Sequence, residues 1–200
     1  MIDESKIHVY DDYLEPFEHK QLRDYLLGPK MYWYYCGNYS GGYPQMERVF
    51  YNEFVGPQRV EGVPFVKNEI GIFDRITGKM NFSALIRIRA ICNWRTDTNK
   101  MKPRDWHVDV PFDCTTAIYY LHDSDACTLF RDGDNEPFQV ETKANRLVEF
   151  PSQYEHAVSP MTTPDRRVLI NFNFIRPNIN HKKEGSFCSH MMVGNQHPMT

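Results

Sequence analysis

From residue 82 onward, apolar and polar positions alternate with the period of two that a strand imposes. Ala84 to Cys92 places Ile86, Ile88, Ala90 and Cys92 on one face and Arg87 and Arg89 on the other. Thr115–Leu121, Thr128–Phe130, Phe138–Val140 and Arg146–Phe150 read as further strands, and Arg166–Ile175 as the last and longest. Turn residues separate them: Asp132-Gly133-Asp134, Pro137, Pro151-Ser152, Pro160 and Pro164. Short strands at regular spacing, after an N-terminal helical region, predict a jelly-roll barrel with helices packed on one side.

The first 80 residues follow other periods. Ile7-His8-Val9-Tyr10 predicts a short strand, and Leu14-Glu15-Pro16 opens a helix with proline tolerated in its first turn. Leu22, Tyr25 and Leu26 recur at helical spacing until Gly28-Pro29. Met31 to Tyr35 is strand-like. The glycines and prolines of residues 37–64 predict irregular structure with short extended pieces. Phe65, Glu69, Ile72 and Ile76 space a second helix, closed by Gly78. The expected organisation is one domain over residues 1–200: support in 1–80, barrel in 81–176, and a polar tail in 177–200. No internal repeat is visible.

Composition narrows the class. A chain of 200 residues with 41% hydrophobic and 24% charged residues is of ordinary globular make-up and can bury a sizeable core. Its 12 Tyr and 13 Phe suit strands. A net charge of −3 lacks the basic excess of a nucleic-acid binder, so no nucleic-acid partner is expected. The five cysteines are odd in number and scattered, which argues against a disulfide framework or a structural zinc site. With no signal peptide and no apolar stretch of bilayer length in the sequence, a cytoplasmic location and no membrane partner are expected.

The candidate chemistry lies in His107-Val108-Asp109, followed 47 residues later by His156 and then by Arg166-Arg167. Residues two apart on a strand point the same way, so His107 and Asp109 can aim at one ion while Val108 points outward. Two histidines and a carboxylate are the set that holds a non-haem Fe(II) with positions left open. Chance produces a His-x-Asp tripeptide easily, so its weight comes from the aromatic strand, histidine and arginine pair that follow. The bland alternatives are a surface ion pair for His107 and Asp109 and a hydrogen-bonded histidine for His156. His122-Asp123 are adjacent, face opposite sides and cannot share a metal without a bend. Cys188, His190 and His197 lie in the polar tail, and no role is assigned to them.

Taken together, His107-Val108-Asp109, Thr116 to Leu121, Asn145 to Phe150, His156 to Pro160 and Arg167 to Phe174 resemble the Fe(II)/2-oxoglutarate-dependent dioxygenases. The similarity is greatest to their prolyl 4-hydroxylase-like branch and its small bacterial and phage relatives. Val9 to Leu14 before a helix also looks like that branch, and the resemblance spans residues 7–175. It implies a mainly β fold, a double-stranded β-helix of cupin-like jelly-roll form with flanking helices. It implies His107, Asp109 and His156 as iron ligands and catalytic residues, and 2-oxoglutarate as co-substrate alongside O2. Ascorbate is a candidate supporting reductant.

An arginine on the last strand would pair with the distal carboxylate of 2-oxoglutarate, because its planar fork meets a carboxylate at two points. Val168, Ile170, Phe172 and Phe174 form one face of that strand; Arg167, Asn171 and Asn173 form the polar face. That favours Arg167 over Arg166, given a correct register. Tyr120 matches the family's tyrosine that bonds the co-substrate, and Thr116 shares its face, whereas Tyr119 points away. Arg87 and Arg89 read more simply as a solvated strand face than as a substrate lining. Asn93 to Arg104 would be a loop over the mouth, with Trp94 and Trp106 as candidate substrate contacts.

The implied activity is hydroxylation of an unactivated C–H bond, and the carboxylate at Asp109 favours this over the halogenation of relatives that lack it. The motif similarity favours a prolyl residue of a peptide or protein, with a small molecule as the other candidate. Two readings compete: a cupin-like barrel that binds a metal or ligand without turnover, and an oxygenase of the same superfamily acting on nucleic acid.

Overall fold

The computed structural model describes residues 2–39, 43–53, 71–95 and 106–177. Ten strands run in chain order: β1 (His8–Tyr10), β2 (Tyr34–Tyr39), β3 (Tyr43–Asn52), β4 (Ala84–Trp94), β5 (Thr115–Tyr120), β6 (Cys127–Phe130), β7 (Phe138–Glu141), β8 (Leu147–Pro151), β9 (His156–Val158) and β10 (Arg166–Ile175). Two α-helices among the described residues, α1 (Pro16–Leu26) and α2 (Asp74–Thr77), and a 3-10 turn at Glu4–Lys6 accompany them. The strands form a seven-stranded sheet ordered β1-β8-β5-β10-β4-β3-β2 and a three-stranded sheet ordered β7-β6-β9. Every pairing is antiparallel. This is the expected double-stranded β-helix with helices on one side.

The middle strands of the large sheet are buried on both faces, and each face has its own core. Ile88, Ala90, Tyr119, Val168, Ile170, Phe172 and Phe174 pack outward with Leu22 and Leu26 of α1 and with Phe73 and Ile76 at α2. Ile91, Ile118, Tyr120, Val148 and Leu169 pack inward with Phe130 and Val140 of the small sheet. Strand side chains alternate between faces, so β10 serves both layers. Truncating one of its fully buried aromatics, such as Phe172, should cost about 3–5 kcal/mol through lost burial and a cavity. At the end of α1, a Cβ on Gly28 would sit 2.4 Å from the Asp24 carbonyl oxygen, so only glycine fits there.

Three sequence expectations change. Residues 31–33 are not strand, and β2 starts at Tyr34. The part of 37–64 read as irregular contains the second half of β2 and the ten-residue β3. Its pattern was obscured by Arg48, which is buried at a core position with its guanidinium 4.0 Å from the Tyr32 ring centroid and 4.8 Å from that of Phe50. Ile86 does not join Ile88, Ala90 and Cys92. A register shift between Asn173 and Phe174 moves it to the other side, where it packs with Val110 and Cys114.

Of the second helix expected over 65–76, only Asp74–Thr77 is α-helical among the described residues, and Gly78 caps it. Its residues 65–70, most of the predicted mouth loop and the predicted tail from residue 178 lie outside the described residues, as do Cys188, His190 and His197. No helix among the described residues is long and apolar enough to cross a membrane.

Candidate active site

A cavity of about 250 Å³ opens between the two sheets, lined by Arg87, Arg89, Ile91 and Asn93 of β4, by Arg167, Leu169 and Asn171 of β10, and by His107, Asp109 and His156. His107 is not within a strand. It forms an isolated bridge with His156, their backbones exchanging hydrogen bonds of 3.1 and 2.9 Å. That bridge brings residues 49 apart in sequence side by side, with ring centroids 4.5 Å apart. Ligand atoms of His107, Asp109 and His156 lie within 4.8 Å of one another, so the three can hold one metal ion. Val108, between them, is exposed at the mouth.

The protonation states suit that task. The Nδ1–H of His156 donates to the Tyr154 carbonyl at 3.0 Å, since a carbonyl only accepts. This leaves the Nε2 lone pair pointing at Asp109, 3.8 Å from Oδ2. Burial lowers the pKa of His156 despite the opposing pull of Asp109, which keeps the ring neutral as a ligand must be. Burial alone would raise Asp109, yet its carboxyl is held below the ordinary range. A neutral His156 turns its Nε2 lone pair toward Asp109 and does not hold the carboxyl down, so that task falls to Arg89, Arg87 and the Asn171 amide. Arg87 Nη2 and Arg89 Nη2 reach Oδ1 at 3.3 and 3.2 Å, and Asn171 Nδ2 donates to Oδ2 at 2.8 Å.

Arg87 and Arg89 therefore correct the sequence reading. Their side chains are only 17% and 13% exposed, and they line the cavity instead of a solvated face. One apolar face on β4 implied a polar opposite face, but nothing in that strand alone says whether water or a cavity meets it.

Arg167 occupies the cavity wall away from the mouth and is 1% exposed; Arg166 is exposed, 6.0 Å from the Trp94 ring centroid. Arg167 Nε donates to Thr142 Oγ1 and Nη2 to Thr128 Oγ1, both at 2.8 Å. Its third nitrogen, Nη1, is buried without a hydrogen-bond partner among the described residues. A buried guanidinium with an unused donor fits a carboxylate ligand. Thr128 and Thr142 are site residues that sequence reasoning missed, since isolated threonines give no signal.

Tyr120 is fully buried, its hydroxyl 2.7 Å from Thr128 Oγ1 and its ring 5.0 Å beneath the Arg167 guanidinium. Thr116 shares the face of Tyr120 but bonds Asn173 Nδ2 at 2.9 Å and does not line the cavity. His122 accepts from the Val168 backbone and stands apart from the metal group, as its adjacency to Asp123 suggested. Trp94 is exposed, and Trp106 lies 4.8 Å from the Arg131 guanidinium.

The model of the 2OG-Fe(II) oxygenase superfamily matches residues 96–175. A comparison with curated proteins returns no match. Among solved structures, the chain resembles a prolyl hydroxylase from Trichoplax adhaerens in complex with a hypoxia-inducible-factor peptide (TM-score 0.56, 14% identity, 84% of this chain and 83% of that one). It also resembles a 2OG-Fe(II) oxygenase-family oxidoreductase from Burkholderia pseudomallei (TM-score 0.60, 11% identity, 88% of each chain). A third is HygX from Streptomyces hygroscopicus with nickel and 2-oxoglutarate bound (TM-score 0.53, 11% identity, 86% and 84%). By the family match over residues 96–175, which carry the candidate metal group, and by the shared fold, the chain is similar to the 2OG-Fe(II) oxygenase superfamily.

Proposed function

We propose that the chain hydroxylates an unactivated C–H bond, with His107, Asp109 and His156 holding Fe(II) and Arg167 anchoring the distal carboxylate of 2-oxoglutarate. The observation that carries this reading is the pairing, in one cavity, of a two-histidine, one-carboxylate group with a buried guanidinium whose Nη1 has no hydrogen-bond partner among the described residues. When bound, the metal and 2-oxoglutarate supply the oxidising chemistry. The residues supply the rest. His156 presents a fixed lone pair, and Asp109 stays ionised. Arg167, braced by Thr128 and Thr142, sets the depth at which a dicarboxylate stops. Tyr120 and Leu169 pack around that anchor and keep water from it.

The substrate we favour is a prolyl residue in a peptide or protein. Support comes from the motif resemblance and from a structural neighbour that carries a bound peptide. The exposed Val108, beside the metal group, gives an extended chain an apolar surface to lie on.

The test is succinate release from 2-oxoglutarate with added Fe(II), with and without proline-containing peptides. Release that depends on both Fe(II) and the three ligand residues supports the reading. No release, together with no binding of 2-oxoglutarate to the metal-loaded protein, would leave the ligand-binding barrel as the better description. Release stimulated by a small molecule but by no peptide would replace the prolyl substrate while leaving the oxygenase in place.

A further inference from the structure

We infer that Arg87 and Arg89 form a clamp that restricts Asp109 to a one-point metal ligand, which preserves room on the ion for the co-substrate. The inference rests on the metal reading above. An ionised carboxylate offers about four lone-pair positions on its two oxygens. Around Asp109, three are taken. Arg87 Nη2 and Arg89 Nη2 both donate to Oδ1, at 3.3 and 3.2 Å, and Asn171 Nδ2 donates to Oδ2 at 2.8 Å. The position left is on Oδ2, the oxygen that stands 3.8 Å from His156 Nε2. A carboxylate free to rotate can chelate an ion with both oxygens and so fill one more of its positions. With Oδ1 doubly occupied, Asp109 cannot do so without breaking two charge-assisted bonds.

The clamp does more than neutralise charge, for which one cation would suffice. Each guanidinium is braced from a different strand. Arg89 Nη1 donates to Glu47 Oε2 of β3 at 3.4 Å. Arg87 Nε donates to Asn173 Oδ1 of β10 at 2.9 Å, and Asn173 in turn bonds Thr116 of β5. Arg87 Nη2 also lies 3.4 Å from the Asp109 carbonyl, so the backbone and side chain of the ligand are held together. Thr116, which does not line the cavity, thereby acts as a brace at one remove.

Two guanidiniums beside a divalent ion also repel it. The clamp should thus weaken metal binding while strengthening co-substrate binding; a purely structural ion pair would share the first effect but not the second. The experiment titrates the metal-free full chain with Co(II) and follows visible absorption, then titrates the Co(II)-loaded protein with 2-oxoglutarate by calorimetry. Arg87→Gln and Arg89→Gln should each bind Co(II) up to about tenfold tighter. They should show an altered absorption spectrum and bind 2-oxoglutarate about tenfold more weakly. Arg89→Lys keeps the charge but, with a single nitrogen, cannot span Asp109 Oδ1 and Glu47 Oε2 together, so its Co(II) affinity should return to that of the wild type while its 2-oxoglutarate binding stays weakened.

A lower melting temperature in both Gln variants, with spectrum and 2-oxoglutarate affinity unchanged, would overturn the clamp and leave a structural pair. If the Gln variants do not fold, Arg87→Lys and Arg89→Lys decide: weakened 2-oxoglutarate binding supports the clamp, and wild-type binding overturns it. Failure of the wild-type chain itself to bind Co(II) would bring down the metal reading, and the clamp with it.

Discussion

Arg166 and Arg167 are neighbours in sequence and opposites in environment. Arg167 is closed into the cavity under Tyr120, while Arg166 meets solvent beside Trp94. Arg167→Ala should raise the 2-oxoglutarate requirement roughly 10- to 100-fold, the worth of a buried charge-assisted bond. Arg166→Ala should change it little. Comparing KM for 2-oxoglutarate between the two variants checks this, and the reverse order would sink the assignment of Arg167. The preference for Arg167 was readable in the chain because Val168, Ile170, Phe172 and Phe174 mark the opposite face of the same strand. The roles of Arg87 and Arg89 were not readable. What a polar strand face meets depends on the loop carrying Asp109, which folds over it from 20 residues away.

At the scale of elements, the N-terminal segment is tied to the barrel through polar side chains. Asn145, at a positive φ of 61°, accepts from Leu14 N and donates to Leu14 O, at 2.9 and 2.8 Å. The Tyr119 hydroxyl donates to Asn145 Oδ1 and lies 2.7 Å from His19 Nδ1 of α1. Nearby, Asp11 meets Arg146 and Lys143, and the Arg146 hydrogen bonds first of all hold its carboxyl down at about 2. A depressed carboxyl stabilises above its unfolded pKa and loses that contribution as pH falls. Here it is complete above about pH 4 and gone below about pH 2. The group is largely exposed, so screening limits it to roughly 0.5–1 kcal/mol. Urea unfolding of Asp11→Asn should show that deficit at pH 7 and none near pH 2; a deficit independent of pH would mean that charge is not its source.

The elements also show where sequence reading stopped. Strands with one apolar face, β4 to β8 and β10, were legible to within about two residues at either end. β3 was not, because Arg48 occupies a core position by stacking on aromatic rings, and β9 was missed because its three residues lie between Pro151-Ser152 and Pro160, which read as turns.

For the whole molecule, the ligands of the proposed metal and the proposed co-substrate anchor come from both sheets and from the loop that bridges them. Occupancy should therefore stabilise the entire barrel by mass action. At concentrations near 100 times the dissociation constant, Mn(II) with 2-oxoglutarate should raise the melting temperature by roughly 5–10 °C. The shift should be smaller with either alone and absent in His156→Ala. A shift unchanged in that variant would place the ions elsewhere.

The position of β10 has one more consequence. It is the fourth of seven strands, flanked on both sides and buried along nearly its whole length. Its backbone amides should therefore exchange hydrogen only when the entire protein opens. The proposed co-substrate anchor is thus carried on the slowest-opening part of the molecule. Heating should leave that anchor point in place until the global transition, so loss of 2-oxoglutarate binding and loss of structure should share one midpoint.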